Sequence, residues 1–283
     1  MKKGSERMDK QLFGYIDKNT PIHRINSIAK LIFFIIATAT LMFTYDTRFL
    51  LGMSLFSLIL LKVSQIKWQD IKLFVYLILV FSVMNLLAVY VVSPEYGVEL
   101  YGTRHVLWEG YGRFTLTKEQ LFYEFNLLLK YLSTVPLILV FLFTTNPSEF
   151  ASSFNRIGIP YRVAYAISLT LRYIPDIQED FLAIKSAQDA RGISGEEDES
   201  FKDKAQSVGR ILIPLIISSF ERIETVSHAM MLRRFGTKKK RTWYVEKPLK
   251  GSDYAVIACG IGVLGLFTLT LYLNKQRFYN PFL

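Results

Sequence analysis

The chain has 283 residues, 51% of them hydrophobic and 14% aromatic, with a formal net charge of +10. That is too apolar for most soluble folds of this length, and a single cysteine, Cys259, excludes an internal disulfide and any cysteine-based metal cluster. In a chain with long apolar runs, a basic excess marks the cytoplasmic side of a membrane more readily than a nucleic-acid surface.

The first 25 residues are polar and read as lacking a signal peptide, because the apolar run behind them has no small-residue cleavage site. A helix crosses a bilayer core with about 20 mainly apolar residues. Leu31 to Tyr45 is uncharged and reaches that length if Ile25 and Ile28 join it and Lys30 stretches its stem to the headgroups. Phe49 to Leu61 needs Lys62 to do the same. Leu73 to Pro94 carries no charge; nor does Tyr131 to Pro147, which Leu121 to Leu129 extends outward. Tyr254 to Asn274 is the last apolar run. Lipid leaves backbone groups no water to bond, so each run is expected as a helix. The expected fold class is all-α: a polytopic membrane protein of about five transmembrane helices plus long amphipathic cytoplasmic helices.

Basic residues set the orientation. With the N-terminus inside, residues 1–28, 62–72 and 149–253 are cytoplasmic and hold 6, 3 and 17 Lys and Arg, 26 of the 34. The outer segments 45–48, 93–120 and 275–283 hold 1, 3 and 2. The chain then divides into residues 1–144 with four spans, a cytoplasmic domain 145–253, and residues 254–283 with the last span and an outer tail.

The cytoplasmic domain opens on "TTNPSEF", with Asn146 as a helix cap, Pro147 in the first turn and Glu149 near the positive end. "NRIGIP" (155–160) reads as a turn and "YRVAYAISLTLRYI" (161–174) as an apolar helix. Pro175 then opens or kinks a further helix, and Asp176, Glu179 and Asp180 suit the dipole of its first turns. Ile177, Phe181, Ile184 and Gln188 share one face. Arg191 lies in the last turn, and Gly192 is placed to end the helix in a left-handed conformation. After the charged connector "GISGEEDESFKDK", a second helix repeats the plan. Pro214 lies near its start; Ile216, Phe220, Ile223, Ser227 and Met230 form one face; Arg233 and Arg234 lie at its end, with Gly236 behind. Either end alone reads as ordinary capping. Two together suit a two-point grip on carboxylates of a partner, since guanidinium forks stay charged and bind bidentately.

Other motifs are read as structural. Gly260, Gly262 and Gly265 spell a dinucleotide fingerprint, but inside an apolar run without a preceding strand. Close helix packing through Ala258 and Gly262 is the expected role. His23, His105 and His228 are scattered, so no metal site is expected. Thr237 to Arg241, "TKKKR", suits lipid headgroups rather than nucleic acid. The Gly- and aromatic-rich outer loop, 93–118, suits a hairpin-like cap.

Ala190-Arg191-Gly192, preceded by Ala187-Gln188, resembles the first of two Ala-Arg-Gly-like triplets in the transmembrane T component, or scaffold, of energy-coupling factor transporters. At the second triplet, where Ala-Arg-Gly-Phe is common in that family, this chain reads Leu232-Arg233-Arg234-Phe235. Thr20 to Ile25 with Lys30-Leu31, Leu171 to Pro175, and Ile213-Pro214-Leu215 are similar to the family's lead-ins to its first span and to its two coupling helices. The resemblance implies a bacterial or archaeal cell-membrane scaffold that docks its coupling helices on two cytoplasmic ABC-type ATPases. It further implies a separate substrate-binding membrane subunit for a vitamin or a transition-metal ion such as cobalt. Arg191 and Arg233 would then be coupling residues, with no catalytic residue, no cofactor in this chain and ATP on the partners. No Walker A pattern occurs in the sequence. The competing reading, a stand-alone solute carrier, asks for ionisable groups deep in the spans.

Overall fold

The computed structural model describes residues 20–109, 114–191, 201–237, 243, 247–275 and 277–282. In chain order these form α1 (Pro21–Arg24), α2 (Ser27–Phe43), α3 (Thr47–Val63), α4 (Trp68–Val92) and α5 (Tyr96–Tyr101). Then come β1 (Val106–Glu109), β2 (Thr115–Thr117), α6 (Lys118–Thr144), α7 (Pro147–Arg156), α8 (Tyr161–Ala190), α9 (Phe201–Leu232) and α10 (Gly251–Asn274). Two compact units result, one of Met1–Asn146 with Lys247–Leu283 and the other of Pro147–Glu246.

Among the described residues of the first unit, α4, α6 and α10 are long and apolar enough to cross a membrane. The helices α2 and α3 are 17 residues each, at the short end of the spanning range. The chain is an all-α polytopic membrane protein.

Several helix starts have a side-chain acceptor. The Asn26 side chain accepts from the Ile28 N–H, Asp46 from Arg48 and Phe49, and Thr117 from Gln120. Helix ends need donors instead, because the last carbonyls have no partner within the helix. The Lys30 ammonium donates to the Thr144 carbonyl at the end of α6, at 2.6 Å. In return the Lys130 ammonium, on α6, donates to the Met42 carbonyl at the end of α2, at 3.1 Å, and lies 3.3 Å above the Tyr45 ring. These two bonds fix α2 and α6 as antiparallel neighbours. They also correct the expectation for Lys30. It does not stretch to the headgroups but is buried, since a cation beside a helix C-terminus finds both a carbonyl and a favourable dipole.

The other rods follow. The Thr47 hydroxyl donates to Asn126 at 2.7 Å and the Ser133 hydroxyl to the Leu50 carbonyl at 3.1 Å, setting α3 parallel to α6. The Tyr131 hydroxyl donates to Asn85 on α4. The buried Asp253 carboxylate accepts from the backbone N–H of Asn26 and of Lys250, pinning the start of α10 to the start of α2. At its other end Asn274 bonds Asp46. Phe33, Ala37, Leu41, Leu50 and Leu137 form the core between the rods. Val256, Gly260, Val263 and Phe267, at helical spacing, are the face α10 turns inward. Gly260 is therefore the close-packing glycine, against the Phe33 backbone. Ala258 and Gly262, expected in that role, are exposed, because the inward face is set by its larger apolar residues.

A cap of α5, the antiparallel β1–β2 pair and the tail 277–282 closes one end. The hairpin matches the reading of the outer loop. The buried Glu119 carboxylate accepts from the His105 backbone N–H and the Thr103 hydroxyl, and lies 2.6 Å from the His105 ring. Hydrogen bonds from Thr115 and Arg104 hold the Glu95 carboxyl below its ordinary pKa. Tyr101 packs edge-on to Phe122, Phe278 and Phe282. The closest approach is at Gly97, where an added Cβ would lie 2.5 Å from the Glu119 carbonyl.

Gly97→Ala should lower the melting temperature of the detergent-purified chain, by about 1–3 kcal/mol of stability, because backbone and not a flexible side chain blocks the methyl. Lys30→Met should cost about 1–3 kcal/mol by leaving the α6 end without its donor. Lys62→Met, at an exposed position, is the control and should leave the melting curve unchanged.

Candidate functional site

The second unit holds the residues singled out by the sequence. Helix α7 ends in a Schellman motif: the Ile159 N–H bonds the Phe154 carbonyl and the Gly158 N–H the Asn155 carbonyl, with Gly158 at φ +108°. Helix α8 then runs unbroken from Tyr161 to Ala190, about 45 Å at 1.5 Å per residue. Pro175 therefore neither starts a helix nor separates two; it lies inside one. Asp176 and Asp180 accordingly do not serve a first turn. Both face Arg222 on α9, at 3.5 and 2.5 Å. Pro214 is likewise interior to α9, whose start at Phe201 takes in the last residues expected as connector.

The tips differ. Arg191 is the C-terminal cap residue of α8, with its N–H on the Gln188 carbonyl, and it is exposed, as is Ala190. Gly192 and the acidic connector up to Ser200 lie outside the described residues, as do Lys238 to Arg241 of the basic run and residues 1–19. At the end of α9, the Phe235 N–H bonds the Met230 carbonyl and the Arg234 N–H the Met231 carbonyl. This is the pattern that ends α7, with Arg234, at φ +52°, in the place of Gly158. So Arg234 stands where the resembled triplet has glycine, and its backbone takes the left-handed conformation that glycine adopts freely. Leu232, Arg233 and Arg234 are all exposed.

Four rings hold this second tip. Phe235 packs on Tyr165 at 4.5 Å and on Tyr161 at 5.8 Å, and Trp243 packs on Tyr161 at 5.4 Å. The Arg162 guanidinium donates to the Gly236 carbonyl at 2.7 Å, and the Trp243 indole N–H to Asn155. The end of α9 thus lies against the start of α8, and the two helices run antiparallel. A groove of about 410 Å³ opens between them, lined by Tyr173, Ile177, Arg222, Ile223 and Met230 among others. Ile177, Ile223, Ser227 and Met230 line it as their shared faces imply, whereas Ile216 and Phe220 do not; Ile216, Phe220 and Ile223 are all largely exposed. The aromatic clasp and the Arg222 bridge were not read from the sequence. The one local signal was the Tyr161–Tyr165 pair, four apart on a helix face.

A family model described as cobalt transport protein, CbiQ, matches residues 18–244. The chain belongs to the CbiQ family. Among relatives of this CbiQ chain are proteins named energy-coupling factor transporter transmembrane protein EcfT. That of Streptococcus thermophilus is 27% identical over 95% of this chain and 100% of its own length. Those of Streptococcus equi and Heliobacterium modesticaldum are each 26% identical, over 93% and 90% of this chain and 97% and 95% of theirs. The resemblance seen at the triplets thus extends over most of the chain.

Arg234→Gly should stabilise the α9 end by about 1 kcal/mol, since glycine takes φ > 0 without the Cβ clash. Slower amide exchange at Phe235 would report it; unchanged or faster exchange would count against the left-handed assignment.

Proposed function

We propose that this CbiQ-family chain is the membrane scaffold of an energy-coupling factor importer. Its two long helices, α8 and α9, present Arg191 and Arg233 to two cytoplasmic ABC-type ATPases. Closure of the ATPases on ATP moves the helices, and the movement reaches a separate membrane subunit that binds a vitamin or a transition-metal ion. ATP is bound by the partners, and this chain holds no cofactor and no catalytic residue. Ala190, Arg191, Gly192, Leu232, Arg233 and Arg234 form the coupling surface.

The observation that carries the reading is the exposure of both tips on helices whose apolar faces are also left open. Arg191 and Arg233 are exposed, and so are Leu182, Ile216, Phe220 and Leu232, the last at 86%. A guanidinium at a helix end offers a partner carboxylate planar, bidentate donors, and exposed apolar side chains beside it add area to bury. The excess of Lys and Arg in 149–253 and in residues 1–28 supports a cytoplasmic location for both. The stand-alone carrier gains little from Lys30 and Lys130, since both are bonded to helix-end carbonyls.

Co-expression with candidate ATPases and affinity purification through this chain tests the reading. The parent chain is expected to retain the ATPases, and the Arg191→Glu, Arg233→Glu double variant to lose at least ten-fold of them. Equal retention by the double variant would overturn the assignment of the tips.

A further inference from the structure

We infer that Arg222 is a positioning residue for coupling: bridged to Asp176 and Asp180, it braces the proline-weakened turn of α8 and so sets where Arg191 stands relative to Arg233. The inference rests on the coupling role given to the two tips.

Two contacts flank the groove between α8 and α9. One is the clasp of Tyr161 and Tyr165 with Trp243 and with Phe235, which is only two residues beyond Arg233. The other is the bridge, where the Arg222 guanidinium meets Asp180 at 2.5 Å and Asp176 at 3.5 Å, with the Tyr173 ring 5.9 Å away. Tyr173, Asp176 and Asp180 lie on one face of α8, and Arg222 reaches them all from α9.

The bridge sits midway between the tips. Eleven residues separate Asp180 from Arg191, and eleven separate Arg222 from Arg233. At 1.5 Å per residue each stretch is about 16 Å long, and the antiparallel helices carry them in opposite directions. The clasp ties the segment just after Arg233 to the start of α8, and the bridge bears on the angle of α8 about that clasp. Tyr165 to Asp180 spans about 22 Å and Tyr165 to Arg191 about 39 Å. A swing of about 10° at the clasp therefore moves Arg191 by roughly 7 Å, enough to take a guanidinium out of reach of a carboxylate.

The backbone ladder of α8 is itself weakest at Pro175, which has no N–H to give to Leu171 and crowds that carbonyl, so a bend there adds to any swing about the clasp. Asp176 is the next residue, and Asp180 is one turn on. The ion bridge is thus applied from outside at the turn where the backbone ladder is missing a rung. A planar fork suits the task, since it meets two carboxylates at once.

Spin labels measure the angle. In the full-length chain with Cys259→Ser, labels at Ser186→Cys on α8 and Ala229→Cys on α9 give an inter-arm distance by pulsed electron resonance. Arg222→Gln is expected to broaden the distribution and shift its mean by 5 Å or more. The swap of Arg222→Asp with Asp180→Arg is expected to narrow it again, and Arg222→Lys to restore it in part. A residue needed only for folding would show no rescue by the swap. An unchanged distribution in Arg222→Gln, or a swap no narrower than Arg222→Gln, overturns the inference. The distance requires no ATPase, so failure here is distinct from failure of the tips to hold the ATPases. If both hold, Arg222→Gln should keep at least half of the co-purified ATPases but lose most of the ATP-dependent change in the label distance.

Discussion

A helix end buried in protein or lipid leaves carbonyls that no water can reach, and the architecture of the first unit turns on how these are bonded. Helices α2 and α6 solve it for each other. Lys30 near the start of α2 serves the end of α6, and Lys130 within α6 serves the end of α2. Two lysines so placed allow only one register and one direction for the pair. The remaining rods are fixed against it by bonds at their ends: Asp253 to Asn26, Asn274 to Asp46, Thr47 to Asn126. Of the 34 basic residues, the orientation count leaves just two inside spans, and they are these two. Charges in spans usually point to a transported solute. Here each has a protein carbonyl as its partner, and the cost of burying it is offset by a helix end that lacks a donor.

The second unit meets the same demand with backbone geometry. Helices α7 and α9 both close through a residue in the left-handed region and the same pair of backbone bonds, with glycine in one case and arginine in the other. Glycine at position 234 would make the better cap. What arginine adds is a second guanidinium beside Arg233, on an exposed tip. A left-handed non-glycine residue costs about 1–2 kcal/mol, here as at Gln65 and Lys275. The clasp offsets it, because Phe235 directly after the strained residue is held between rings.

Much of this was legible in the sequence, and the failures share a cause. Apolar runs gave the spanning helices, since length and hydrophobicity are local properties. The charged tips followed from helix periodicity, a final arginine and a glycine or its substitute. Local signals also misled. Pro175 followed by Asp176 and Asp180 has the composition of a helix start, and an interior proline with two acids facing a distant arginine has the same composition. Only the position of Arg222, 42 residues further on, separates the two. Lys30 in the same way reads as a residue stretching to headgroups until Thr144, 114 residues on, supplies its acceptor. Ala258 and Gly262 have the right spacing for close packing, but the inward face of α10 is decided by what α2 presents, and Phe33 selects Gly260.

These long-range contacts also decide how a movement can pass through the second unit. A helix of 30 residues with intact hydrogen bonding transmits a push at its tip to its base as a rod. With a proline at its middle it bends there unless something holds it. The clasp and the bridge fall on either side of the groove, so the segment between them is supported at both ends while its own ladder is broken within. Beyond the bridge, α8 continues through Ala190 to the exposed Arg191. On the coupling role proposed for the tips, a load on Arg191 meets the Asp180–Arg222 contact before it meets the clasp. Charge-assisted contacts between partly exposed groups break and re-form at modest cost, whereas the ring cluster of the clasp has no such alternative. On the proposed coupling role, the bridge is thus the contact that yields when the two arms change their angle about the clasp.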